Sequence, residues 1–260
     1  MMEPECSSNS VNVRHSGQAV ASIGAWLVHL LTASGAFFGL LAVLALHMER
    51  PVAALWWMAV TVAIDSVDGT LARKLQVKKR VPQIDGSLLD NVVDYFTWSI
   101  VPACFLLMGD LLNHPWHLVA ASIISICSAY QFSRIDAKTG DHTFGGFPSY
   151  WNILVLYLFL FKTSQTVSMA AIALCGAACF FPLRFLYPSR TTFMPRLNLA
   201  LSWLWGGTLL LALLSYPNNH QLWGGLSLIY VAYYLLVSIW LTAISRHNAS
   251  MSAFQDANNT

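Results

Sequence analysis

Apolar residues gather into eight runs, at 32–48, 52–71, 88–108, 116–132, 150–161, 167–181, 197–215 and 222–244. Most approach the roughly 17 to 25 residues that a helix needs to cross the hydrocarbon core of a bilayer. The fifth is short, and its boundary with the preceding FGGFPSYW stretch is not marked by polarity. Between the runs stand the breakers Pro51, Pro82, Pro115, Gly145-Gly146 with Pro148, Pro182, Pro188, Pro195 and Pro217. The pattern predicts an all-α, polytopic membrane protein of about eight transmembrane helices. Residues 17–31 are apolar with Trp26 and His29, as in a helix lying on the membrane surface. Residues 1–16 are polar and expected to be disordered, 17–245 to form one transmembrane domain, and 246–260 a polar tail.

Composition agrees: 56% of the 260 residues are hydrophobic and 10% charged, against about 25% charged in soluble domains. The mean hydropathy is +0.55. A net charge of +2, with no basic run interleaved with aromatics, argues against a nucleic-acid partner and for the lipid bilayer. Five cysteines without a CxxC pair argue against a disulfide framework or zinc site. The N-terminal stretch lacks the charge pattern of a cleavable signal peptide. Of the 14 Lys and Arg, only Arg50 and Lys162 fall opposite the other twelve, which predicts cytoplasmic termini and a cytoplasmic loop at 74–85.

That loop joins two acidic pairs. Asp65 and Asp68 stand three apart and Asp90 and Asp94 four apart, so each pair shares one face of its helix. Gly69 and Ala72 continue the first face, and Gly86 precedes Asp90 by one turn. A carboxylate at a bilayer centre costs about 2.5 to 3.5 kcal/mol, so four of them need compensation. Three readings differ in what compensates them. The acids can sit among headgroups, paired with Arg73, Lys74 and Lys78. They can form an ion pathway in a transporter, although no inverted repeat and no matching acids appear in the second half. Or they can bind divalent cations, whose shells phosphate oxygens complete, with the small residues leaving room for a nucleotide.

The residues resemble the CDP-alcohol phosphotransferase signature, D-x2-D-G-x2-A-R, a spacer, then G-x3-D-x3-D. Asp65, Asp68, Gly69, Ala72, Arg73, Gly86, Asp90 and Asp94 meet every fixed position. The resemblance implies a six-helix core within the eight spans and two divalent cations, Mn²⁺ or Mg²⁺, held by Asp65, Asp68, Asp90 and Asp94. Asp90 and Asp94 would be catalytic, Asp94 as ligand, general base or both. Gly69, Ala72, Arg73 and Gly86, with Asp65 and Asp68, would line the CDP site. The long spacer at 74–85 and the segment YQFSRIDAKTGDHTFGGFPSYWN resemble the family's bacterial phosphatidylcholine synthase branch. That branch implies CDP-diacylglycerol and choline as substrates, release of CMP, and an inner-membrane enzyme with its site facing the cytoplasm. Phosphatidylserine synthesis is the alternative acceptor chemistry, and family members are often homodimers. A trimethylammonium group is recognised by aromatic faces, which makes Tyr95, Trp98, Tyr150 and Trp151 the acceptor candidates. Many members carry an asparagine early in the first core helix. Here that stretch reads LTASGAFFGLL, leaving Thr32 or Ser34 for its polar role. Arg134, Asp136, Lys138, Asp141 and His142 fall in the second cytoplasmic loop, as solvated charges or contacts to the acceptor or nucleotide, and Arg184, Arg190 and Arg196 in the third, as positive-inside charges or contacts to an anionic headgroup phosphate.

Overall fold

Within a bilayer every backbone polar group must be satisfied inside its own segment, which makes each apolar run a helix. The computed structural model describes residues 8–136, 143–188 and 190–258, with side chains between 22 and 245. Helix α1 (Ser8–His47) leads to α2 (Pro51–Lys74), a short α3 (Val77–Arg80) and α4 (Gly86–Tyr95). A π turn (Phe96–Ile100) carries α4 without a break into α5 (Val101–Met108). Then follow α6 (Trp116–Ser133), α7 (Trp151–Leu160), α8 (Gln165–Ala178), α9 (Pro195–Leu214) and α10 (His220–Asn258). Two three-residue strands, β1 (Thr143–Gly145) and β2 (Arg184–Leu186), pair antiparallel, with Phe144 opposite Phe185.

Each of the eight apolar runs holds a helix, and the chain is a multi-pass membrane protein. Five segments, Ser22–His47, Pro51–Lys74, Gly86–Met108, Pro195–Leu214 and His220–Ser245, are long and apolar enough to cross a membrane. Helices α7 and α8 are shorter. Ten residues of α7 rise only about 15 Å, half of a roughly 30 Å core. Apolar residues also face outward, among them Trp203 at 70% and Leu174 at 72% exposure. Such a surface suits lipid.

The segment at 17–31 does not form a separate surface helix but is continuous with the first span in α1. Apolar residues run through 17–31 without a Gly-Pro break, so nothing interrupts the helical ladder. Helix α1 also takes in residues 8–16, and α10 runs on through the polar stretch after 245. The π turn ends where α5 begins, and Pro102 stands in the first turn of α5, where a missing backbone N–H is tolerated.

Helix α1 packs along α2 and also touches α3, α4, the π turn and α5. Close approach needs small residues. A Cβ on Gly35 would come 2.9 Å from Val93 Cγ1, and one on Gly39 2.7 Å from Phe96 Cε1. Gly35 seats α4 and Gly39 the π turn against α1, small-residue contacts of the kind that join membrane helices. Phe105, Ile124, Trp151, Leu160 and Ile172 lie in one core to which α1 and α2 and also α5 to α9 contribute.

Candidate active site

The helices that α1 holds together bring both halves of the acidic motif to one place. One carboxylate oxygen each from Asp65, Asp68 and Asp90 lie within 4.8 Å of one another. Asp68 is 4% exposed, whereas Asp65 and Asp90 are partly buried. Asp94, also partly buried, lies one turn further along α4 and outside that group of three. Charges about 4 Å apart repel by about 4 kcal/mol per pair at an effective dielectric of 20. Hard oxygen donors at this spacing can hold a divalent cation, which removes that repulsion.

The Thr32 hydroxyl donates a 2.7 Å hydrogen bond to Asp68 Oδ2, fixing the buried carboxylate from α1. Ser34 turns its hydroxyl to its own helix, 2.6 Å from the Leu31 carbonyl. Of the two hydroxyls, Thr32 is the one that reaches the acids. Arg73 is exposed and donates to Thr70 Oγ1 at 3.1 Å. A Cβ on Gly69 would meet only Arg73 Nη1, at 3.4 Å, so no backbone packs on that face. Ala72 packs instead on Ala25, Val28, Val77 and Val81, and Gly86 lies against buried His29, whose Cε1 would be 3.1 Å from an added Cβ. Sequence reasoning passed over Asp85, which caps α4 by accepting from Ser87 N at 3.0 Å and Leu88 N at 3.1 Å. An aspartate before Gly-Ser at a helix start was the available signal.

Of the four aromatic candidates, two come together beside the acids. Trp98 is buried and its ring lies 5.6 Å from that of Tyr150. The Tyr150 ring also meets Phe144 at 6.5 Å and Tyr234 at 6.4 Å. Tyr95 faces α6, with its ring against Phe132 at 6.1 Å and its hydroxyl 3.4 Å from the Ser125 carbonyl. Trp151 is fully buried and donates from Nε1 to Ser128 Oγ at 2.7 Å, so the structure does not bring it to the acids.

Both Arg134 Nη1 and Gln131 Nε2 donate to the Gly145 carbonyl at 2.9 Å. The Arg134–Asp136 ion pair, 2.8 Å, holds the Asp136 carboxyl below the usual range. These bonds anchor β1 to the end of α6. Strand β2 is tied to α10, where Thr242 Oγ1 accepts from Arg184 N at 2.8 Å and Ser238 Oγ from Leu186 N at 3.1 Å. Lys138, Asp141 and His142 lie outside the described residues.

Residues 26–181 match the family model described as CDP-alcohol phosphatidyltransferase. The chain belongs to the CDP-alcohol phosphatidyltransferase family. Curated relatives extend the similarity over most of its length. It is 41% identical to a phosphatidylcholine synthase of Legionella pneumophila, over 88% of this chain and 92% of that protein. It is 36% identical to a phosphatidylcholine synthase of Pseudomonas aeruginosa, over 84% and 92%, and 35% identical to one of Borreliella burgdorferi, over 86% and 96%. As a member of a phosphotransferase family, this chain carries the signature acids on α2 and α4, inside the family segment. Strand β2, α9 and α10 lie beyond it.

Proposed function

We propose that this chain is a phosphatidylcholine synthase, which joins CDP-diacylglycerol to choline and releases CMP. The observation that carries the reading is the convergence of Asp65, Asp68 and Asp90 on one point in a chain whose curated relatives are named for this activity. Asp65, Asp68, Asp90 and Asp94 would hold two divalent cations, Mn²⁺ or Mg²⁺, which when bound neutralise phosphate charge on both sides of the displaced bond.

The protein's own groups supply position and a proton acceptor. Thr32 holds Asp68 in one orientation. The open face at Gly69, with Arg73 beside it, admits a pyrophosphate and offers it a fixed positive charge. Asp94 accepts the choline hydroxyl proton as that oxygen bonds to the phosphorus bearing diacylglycerol. The bond from that phosphorus to the CMP oxygen breaks, and CMP carries away the electron pair. No covalent enzyme intermediate is required. The excess of Lys and Arg around the acidic motif supports a site facing the cytoplasm of a bacterial inner membrane.

Metal removal tests this reading. Choline-dependent CMP release by the purified protein should fall to background in EDTA and return with excess Mn²⁺ or Mg²⁺. Undiminished release in chelator contradicts it.

A further inference from the structure

The signature acids and the residues at Gly69, Ala72, Arg73 and Gly86 all lie inside the family segment. What selects the acceptor must lie beside them. The Tyr150 phenol is the meeting point: Tyr187, Asp65 and Tyr230 all act on it, and the Tyr234 hydroxyl faces it. Its ring lies 5.6 Å from Trp98 and 6.4 Å from Tyr234. Trp98 follows Asp94 by about one helical turn, so this group of rings adjoins both halves of the acidic motif.

Three of these residues, Tyr187, Tyr230 and Tyr234, come from beyond the family segment that ends at 181. The strand pair delivers the first. Phe144 and Phe185 oppose one another in the ladder, and Tyr187, two residues on, shares their face as the diagonal neighbour. Its ring stacks on Phe144 at 4.5 Å, and the Arg190 guanidinium lies over it at 5.5 Å. These contacts hold the ring so that Tyr187 stays in reach of the Tyr150 phenol. Helix α10 delivers Tyr234, whose ring also stacks on Phe185 at 6.3 Å. The hydrogen bonds from Arg184 and Leu186 to Thr242 and Ser238 lock β2 onto that helix.

We propose that Trp98, Tyr150 and Tyr234 form the binding site for the acceptor's quaternary ammonium, with α10 supplying Tyr234 and Tyr187, at the end of β2, holding Tyr150 in place. This rests on the phosphatidylcholine synthase reading and assigns the acceptor half of the same site. A quaternary ammonium donates no strong hydrogen bond, so its recognition falls to ring faces and a nearby anion. Two phenols, Tyr150 and Tyr234, and the Trp98 indole supply the faces. A primary ammonium would leave its three N–H donors short of acceptors among these rings, a loss that disfavours it.

The test compares Tyr187→Leu and Tyr234→Leu with Tyr187→Phe and Tyr234→Phe, measuring the KM for each substrate. The leucine variants should raise the choline KM about tenfold and leave the CDP-diacylglycerol KM within about twofold. The phenylalanine variants, which keep the ring, should stay within about threefold for choline. Unchanged choline KM values, or equal rises for both substrates, overturn the site. Tetramethylammonium tests the wild-type protein without any substitution: it should inhibit competitively against choline, and absent or noncompetitive inhibition overturns the site. A wild-type protein that ignores choline overturns the functional reading and the site together. Choline-dependent release with leucine variants that behave as wild type overturns the site alone.

Discussion

Asp90→Ala should lower CMP release by at least about a thousandfold, a loss of about 4 kcal/mol of transition-state stabilisation. Asp90 is the member of the triad that α4 contributes; without it, Asp65 and Asp68 on α2 face no partner carboxylate in the group of three. A cation then loses a ligand shared with the substrate phosphates, and affinity and geometry fail together. The same substitution should not harm the fold. In the apoprotein it removes a like charge from a cluster whose pairwise repulsion is about 4 kcal/mol at 4 Å. Thermal unfolding in detergent should therefore show a folded protein with a cooperative transition. Normal turnover by Asp90→Ala, or loss of turnover explained by unfolding, contradicts the assignment.

Trp151→Ala should instead act through stability. The side chain is fully buried, meets Phe147 at 5.0 Å and bonds to Ser128. Its truncation leaves a large cavity and an unpaired hydroxyl, a loss of about 3 to 5 kcal/mol. The melting temperature should drop sharply, and the protein that remains folded should keep its ratio of choline to CDP-diacylglycerol KM. Tyr150→Ala, one residue away, should raise the choline KM selectively. A Trp151→Ala protein that melts like wild type and has a raised choline KM contradicts this division of labour.

The contrast between these neighbours shows where the sequence stops being legible. Both precede or begin α7 after an irregular stretch, so no helical period tells which ring faces the acids and which the core. The acidic motif was legible because spacings of three and four within helices fix a shared face; α2 brings Asp65 and Asp68 together with Asp90 of α4, whereas Asp94 lies outside that group. Thr32 and Ser34 could not be separated from sequence, since the choice depends on how α1 rotates against α2. The strand pair was invisible: three residues at 143–145 meet three at 184–186 across α7 and α8, too short for alternation to register. That pairing is also what carries Tyr187 to the site, so its role was hidden with it. The eight runs were legible from hydropathy, whereas the fusion of the surface segment with the first span was not, because an interfacial helix and a membrane-crossing one are both apolar and helical.

The most direct test is acceptor choice by the purified protein in detergent with CDP-diacylglycerol and Mn²⁺. CMP release should depend on choline, with phosphatidylcholine formed in equal amount, and serine, glycerol phosphate and inositol phosphate should give background rates. Robust turnover with serine and none with choline would contradict the account.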